Sequence, residues 1–157
     1  MNLMNPQSVD PVERLTPDEC FELLGQSTVG RLAVIVESHP DIFPVNYVVD
    51  HGSIVFRTGI GTKFWSTMRD PCALEIDGFD AGSGKAWSVV VRGSAHLILD
   101  RQETAAADAL HLDPWQPGTK SHYLRLTWDA VTGRRFKTTR PDIWATPVWD
   151  ARSELFH

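Results

Sequence analysis

Between residues 54 and 71 the chain reads "IVFRTGIGTKFWSTMRDP", opening as a strand, passing two glycines and turning helical. Arg57, Thr58, Thr62 and Lys63 gather two cations and two hydroxyls around one turn at the start of that helix. A helix N-terminus already offers unpaired backbone N–H groups and the positive end of the peptide dipoles. Together these groups make a physical recipe for a phosphate monoester, with Lys63 giving charge and Thr58 and Thr62 giving direction. On local sequence alone an ordinary strand-to-helix turn stands equally open. Two familiar phosphate patterns do not apply: Lys63 follows Thr62 and precedes Phe64, which breaks the P-loop order, and GxGxxG is absent.

A bound phosphate carries something, and "PVNYVVD" offers Asn46 and Tyr47 beside apolar residues able to line a flat ring, or else plain strand patterning. In "KAWSVVVRG", Trp87 and Ser88 stand at a strand start, where a main-chain N–H or hydroxyl can meet the polar edge of such a ring. Taken alone, Trp87 reads as core. The histidines at 39, 51, 96, 111, 122 and 157 show no HExxH or paired spacing, so no metal is predicted. "AGSGK" lacks the GxSxG order of a nucleophile elbow and reads as a mobile hairpin tip. Asp77 and Asp80 read as solvated loop carboxylates, and Cys20 and Cys72, without a CxxC, as buried free thiols.

These residues need elements to hold them. Thr16-Pro17-Asp18-Glu19 combines a capping box with proline at the first helical position, which predicts a helix from Pro17 to Leu24 stopping near Gly25. "GRLAVIVE" and "IFPVNYVVD" alternate and are rich in β-branched residues. The turn signal Asp50-His51-Gly52-Ser53 then returns the chain along "SIVFRT" as a hairpin. A short helix is predicted over Lys63 to Arg69, ending at Asp70-Pro71, followed by the strand "CALEIDGF" and the loop "DAGSGKA". "WSVVVRGSAHLIL" predicts a long strand with Gly93 as a bulge or close-approach point, and "RQETAAADAL" a helix. In "HYLRLTWDAVTGRRFKT", Leu124, Leu126 and Trp128 share one face and Tyr123, Arg125 and Thr127 the other, so half of this strand faces a core. Hairpin-length links between about six or seven strands, with three short helices, predict a mostly antiparallel barrel with helices outside it. Residues 1–14 and 147–157 read as arms, and no internal repeat is visible.

With 157 residues, 42% of them hydrophobic, the chain suffices for one packed core, and a single domain is predicted. A formal charge of −5 without blocks of like charge argues against a nucleic-acid footprint or a polybasic membrane surface. No apolar run reaches bilayer length, and "MNLMNPQSVDPVERL" lacks the order of a signal peptide, so the expected location is the cytoplasm.

From about Leu23 to Phe136 the chain resembles the flavin mononucleotide (FMN)-binding split β-barrels, the pyridoxamine 5'-phosphate oxidase-like proteins. The carriers are "GRLAV", "FPVNYVVDHGSIVFRTGIGTKFWSTMRDP", "WSVVVRGSAHLI" and "VTGRRF", in that order and spacing. The resemblance implies a six-stranded antiparallel split barrel in which Arg57, Thr58, Thr62 and Lys63 hold the flavin phosphate. Val45, Asn46 and Ser88 would lie along the isoalloxazine. It also implies a homodimer with the flavin at the subunit interface, where Arg134 and Arg135 either reach a phosphate or lie on the surface. Trp144 and Trp149 would cover the flavin edge or seal the dimer. True pyridoxamine 5'-phosphate oxidases close with an Arg/Trp-rich C-terminal signature. "RPDIWATPVWDARSELFH" keeps an arginine and tryptophans without that pattern, so vitamin B6 chemistry is not expected. Closer are proteins similar to nitroimidazole reductases. The expectation is a flavin-dependent oxidoreductase passing hydride or electrons from a small-molecule donor to a small planar acceptor. The alternative is a non-catalytic carrier or sensor of flavin, deazaflavin or haem on the same fold.

Overall fold

The computed structural model of the chain describes residues 11–59, 61–112 and 122–138, without the side chains of Thr62 and Lys63. Helix α1 (Pro17–Gln26) begins on the expected capping box: the Thr16 hydroxyl accepts from the Glu19 N–H at 3.3 Å, and the Glu19 carboxylate accepts from the Thr16 N–H at 2.8 Å. The helix outruns its predicted stop at Gly25. A terminating glycine acts by taking a left-handed conformation, and Gly25 is not among the positive-φ residues, so the chain leaves the helix at an extended Ser27 instead.

Strand β1 (Glu13–Arg14) precedes α1, and β2 (Val29–Val36), β3 (His39–Asp50) and β4 (Ser53–Thr58) follow as a meander. Both of its turns are tight. Glu37 and Ser38 take φ of 49° and 66°, and His51 and Gly52 take 46° and 73°, the left-handed pairs that match the twist of a two-residue hairpin. Strand β3 starts at His39, three residues before the predicted Ile42, and runs through Pro40 and Pro44. Because the Tyr47 N–H bonds to Thr28 on the β2 side, odd-numbered residues of β3 donate toward β2 and even-numbered ones away from it. Within β3, only residues 47–50 pair with β4, so the missing donors of Pro40 and Pro44 interrupt no ladder.

Helix α2 (Thr62–Arg69) leads to β5 (Cys72–Asp80) and β6 (Lys85–Leu97), then to α3 (Arg101–Ala109) and β7 (His122–Lys137). The β5–β6 loop is shorter than predicted, spanning residues 81–84. The order β1-β7-β4-β3-β2-β5-β6, with β6 pairing back onto β7, closes six strands into an antiparallel ring with β1 outside it. Residues 13 and 14, read as part of an arm, pair with Arg135 and Arg134. Gly133 permits this: a Cβ there would lie 2.6 Å from the Cys20 sulfur and 2.9 Å from Leu15, so only glycine lets α1 and the segment after β1 lie on β7. At Arg92/Gly93 the β6–β7 register shifts, and a Cβ on Gly93 would collide with the backbone of Thr127 and Trp128, which makes it the expected bulge and close approach.

Leu32, Tyr47, Ile54, Phe56, Leu74, Val89, Val91, Leu124 and Leu126 fill the ring. The prediction that half of β7 faces a core understates its burial. Its other face also buries Tyr123, which joins Val55, Ile98, Ala107 and Leu112 in a second cluster against α3. The arm at 147–157, with Trp149, and Trp144 before it lie outside the described residues. Among the described residues, no helix is long and apolar enough to cross a membrane.

Candidate functional site

Strand β4 alternates. Ile54 and Phe56 point into the ring, while Val55 and Arg57 point outward, as the period of two requires. Arg57 is the ladder partner of Tyr123, and its guanidinium carbon stands 5.2 Å from the centre of that ring. The Tyr123 hydroxyl donates to the Asp108 carboxylate on α3 at 2.7 Å. Burial, and then the Asp108 contact, raise the Tyr123 pKa, so the ring stays neutral. The Arg57 Nε is buried and has no hydrogen-bond partner among the described residues. An unsatisfied cationic N–H in a buried position is an open demand for an acceptor.

One residue further, Thr58 ends β4 opposite His122, its hydroxyl donating to the Gly59 carbonyl at 3.2 Å. Gly61 is the N-cap of α2, and no side chain caps this helix. Its first turn carries no acidic residue, so the exposed N–H groups and dipole meet no competing carboxylate of their own helix. Thr62 and Lys63 form this first turn; their side chains lie outside the described residues. The helix is anchored by buried Phe64, Ser66 and Thr67, and the Phe64 ring lies 5.5 Å from the His122 ring beside the end of β4. Arg57, Thr58 and the uncapped start of α2 thus follow one another within a few residues, a set of groups suited to an anion.

The predicted ring-lining residues divide. Tyr47 pairs with Phe56, so Asn46 and Arg57 are the next residues along their strands, and Asn46 is half-buried on the outer face. Val45 turns its side chain into the barrel core at 7% exposure, leaving only its main chain for a ligand outside. Asn46 pairs with Val29 on β2, while Ser88 pairs with Asp77 on β5 and Arg134 on β7. Val29 and Asp77 both line an open groove of about 480 Å³, together with Ile42, Pro44 and Arg31. Arg31 walls it, held by Glu75 at 2.9 Å and Asp77 at 2.6 Å. Asn46 and Ser88 are thus the cross-strand neighbours of two groove residues, Val29 and Asp77. From β4 to β6 through β3, β2 and β5 is four strand spacings, roughly 19 Å along the sheet, so Ser88 lies at the far end of a path that starts at Arg57. Trp87 packs against the core over Gly78, and its indole is no part of the outer face. Arg135 is tied to Glu13 and Glu19 at 3.5 Å each, whereas Arg134 is exposed beside Ser88.

Sequence reasoning missed Tyr123 and Asp108. Their signal was the outward face of "HYLRLTW", where an aromatic residue alternates with an arginine, but nothing in the pattern names Arg57 as the neighbour. Cys20 and Cys72 are both buried free thiols, and burial pushes Cys72 up to about 11, which leaves it protonated and inert. Among the described residues, no three His, Cys, Asp or Glu side chains converge as metal ligands.

Comparison with known proteins gives this architecture its relatives. A protein of Corynebacterium glutamicum named after pyridoxamine 5'-phosphate oxidase is 40% identical and superposes with a TM-score of 0.72, over 82% of this chain and all of its own. A protein of Mycobacterium smegmatis described as FAD-binding is 34% identical with a TM-score of 0.68, over 80% of this chain and 98% of its own. An uncharacterized Mycobacterium tuberculosis protein is 31% identical over 137 residues, which is 83% of this chain and 90% of the relative. The family model described as pyridoxamine 5'-phosphate oxidase matches residues 16–135. That span runs from the capping box of α1 to the arginine pair of β7 and takes in the whole ring, so the chain belongs to the pyridoxamine 5'-phosphate oxidase-like family.

Proposed function

We propose that this protein binds a flavin through its mononucleotide phosphate, FMN being the simplest such ligand, and acts as an oxidoreductase toward a small planar acceptor. The observation that carries the reading is the uncapped start of α2 beside an arginine whose buried Nε lacks an acceptor. Arg57 and Lys63 supply charge to the phosphate, Thr58 and Thr62 supply hydroxyl donors, and the first N–H groups of α2 complete the cradle. Asn46 and the main chain of Val45 stand next along the outer face, followed by the apolar floor of Val29, Ile42 and Pro44, with Ser88 as a polar group beyond. Once bound, a flavin supplies the electron chemistry; the chain's part is to orient the ring and exclude water from one face. The FAD-binding M. smegmatis relative supports a flavin as the ligand. Pyridoxamine phosphate is not included, because the tail lacks the Arg/Trp signature and lies beyond the matched span.

The same reading makes the protein a homodimer. Ile35 and Ile42 toward one end of the sheet, and Phe79 and Phe136 toward the other, stand on its outside with 40–63% of their surface exposed, apolar side chains that a second copy would cover.

Titration with FMN and riboflavin tests the phosphate cradle, and FMN is expected to bind the more tightly. Lys63→Ala removes a charge-assisted contact of about 1.5–3 kcal/mol and should weaken FMN about ten- to a hundredfold while leaving riboflavin nearly unchanged. Equal affinities for the two ligands in the wild type would sink the cradle. Enzyme and carrier part company on turnover: a nicotinamide or deazaflavin donor with a quinone or nitroaromatic acceptor should give repeated cycles, whereas one stoichiometric reduction marks a carrier.

A further inference from the structure

Arg134 and Arg135 are adjacent in the sequence, and the strand period sends them to opposite faces of β7. Arg135 turns toward α1, where Glu13 and Glu19 hold it. Arg134 turns outward and meets a different neighbour, because β1 lays Arg14 directly opposite it in the ladder. Both arginines are exposed, and among the described residues neither makes an ion pair or a side-chain hydrogen bond. The acidic residues beside them in the ladder are committed elsewhere, Glu13 to Arg135 and Asp77 to Arg31. Like charges directly opposite one another in an antiparallel pair are destabilising, and an anion held between the two guanidiniums would remove that cost.

Ser88 of β6 is the other ladder partner of Arg134, so a hydroxyl extends the polar row. Two residues further along the same strands and on the same face, the chemistry changes: Phe136 pairs with Ala86, and Ala86 pairs with Phe79. Phe79 is 51% exposed and Phe136 is 40% exposed. Their strands are two spacings apart, roughly 10 Å, and only the Ala86 methyl stands between. A ring entering this slot would lie about 5 Å from each phenyl, inside the ~4.5–7 Å of aromatic pairs. The apolar row and the polar row are about 7 Å apart along the strands, and the long arginine side chains can close on a group attached to such a ring.

We propose that Arg14, Arg134 and Ser88, with the slot between Phe79 and Phe136, bind an aromatic acid: a flat ring carrying a carboxylate or a phosphate. A guanidinium presents parallel N–H donors that match either oxyanion. The site's role rests on the flavin reading above, which it deepens by making the small planar acceptor an anionic one. Ser88 stands at the far end of the proposed flavin path, and the second copy of the proposed dimer would close the slot from above.

Calorimetric titration of the full chain, with and without excess FMN, tests the site with 2-naphthoate, 2-naphthyl phosphate and the neutral 2-naphthamide. Excess FMN fills the cradle at α2, so an anion bound there is displaced and one bound at the arginine pair stays. At least one of the two anions is expected to bind about tenfold more tightly than the amide, and the tighter of them names the oxyanion. Arg14→Gln and Arg134→Gln should each remove about tenfold from that anion, the range of one charge-assisted contact, and leave the amide unchanged. Added salt should shrink the preference, since both guanidiniums are exposed. Equal binding of anions and amide overturns the site. So does a preference that survives both arginine substitutions, or one that vanishes when FMN fills the cradle. A protein that binds the anion through the two arginines but takes up no flavin overturns the flavin reading and leaves the site standing; one that binds flavin without discriminating the probes does the reverse.

Discussion

At the residue scale, what distinguishes Arg57 from an ordinary surface arginine is that its platform is built. Tyr123 offers the face of its ring, and Asp108 on α3 holds the hydroxyl at 2.7 Å, so the ring cannot swing away. A cation over an aromatic face contributes about 0.5–2 kcal/mol, depending on desolvation. Tyr123→Leu should therefore weaken FMN about threefold to tenfold by freeing the guanidinium, with riboflavin unaffected. Tyr123→Phe, which keeps the face and loses only the Asp108 bond, should recover most of that loss. The readout is the ratio of riboflavin to FMN dissociation constants, which a general loss of stability does not move. A ratio unchanged in Tyr123→Leu would mean that the ring merely packs beneath α3.

At the element scale, the β3–β4 turn is clipped to α3 through Arg125, an outward residue of β7. Its Nη1 donates to Asp50 at 2.9 Å and to the Ser53 hydroxyl at 2.6 Å, and its Nε donates to Glu103 at 3.0 Å. This one side chain joins three elements, and α3 in turn carries the Asp108 that orients Tyr123. Burial works against ionising Asp50, but the hydrogen bonds from Arg125 and His51 outweigh it and hold the carboxyl below the ordinary 3.8 of an aspartate. A depressed carboxylate contributes stability that is present above the unfolded pKa and lost as pH falls through the folded one. Asp50→Asn should thus lower Tm by about 4 °C near neutrality, for a contact of about 1–2 kcal/mol. That gap should narrow as pH drops below 3.8. A difference that stays constant down to the acid limit of folding would show that Asp50 acts by packing and not by charge.

On the scale of the whole molecule, the proposed flavin can only lie on the outside of the ring. The inside is filled by Phe56, Leu74, Leu124 and Leu126, all fully buried, so no cofactor fits within. In the proposed arrangement a flavin on the outer face has one wall from this chain, and a second copy would supply the other over the exposed apolar side chains at 35, 42, 79 and 136. A ligand gripped by two copies binds the dimer better than the monomer and must favour association by the same factor. Sedimentation of dilute protein should show a dimer that persists to lower concentration with FMN or FAD than without. A monomer binding flavin at full stoichiometry, with affinity unchanged on dilution, would refute the shared site.

What the sequence determined by itself is what short-range physics decides. Thr16 to Glu19 close a capping box within four residues, and His51-Gly52 can only turn. The alternation in "SIVFRT" sends Phe56 and Arg57 to opposite faces, while the run from Arg57 to Lys63 left an anion site and an ordinary turn equally open. Gly93 was legible as a close approach because a glycine inside a long β-branched strand has few other uses. Tertiary structure alone decided everything that depends on which strands become neighbours. Tyr123 meets Arg57 across 66 positions of chain, Gly133 opens room for Leu15, and β1 joins a strand that ends more than 120 residues later. Packing of α3 buries the start of β7 on its outer face as well, at Tyr123, which no single-strand pattern distinguishes from a half-exposed strand. The strand order also sets three strands, β3, β2 and β5, between Arg57 and Ser88 and turns Val45 inward, because inward and outward are defined only once the register with the neighbouring strand is set.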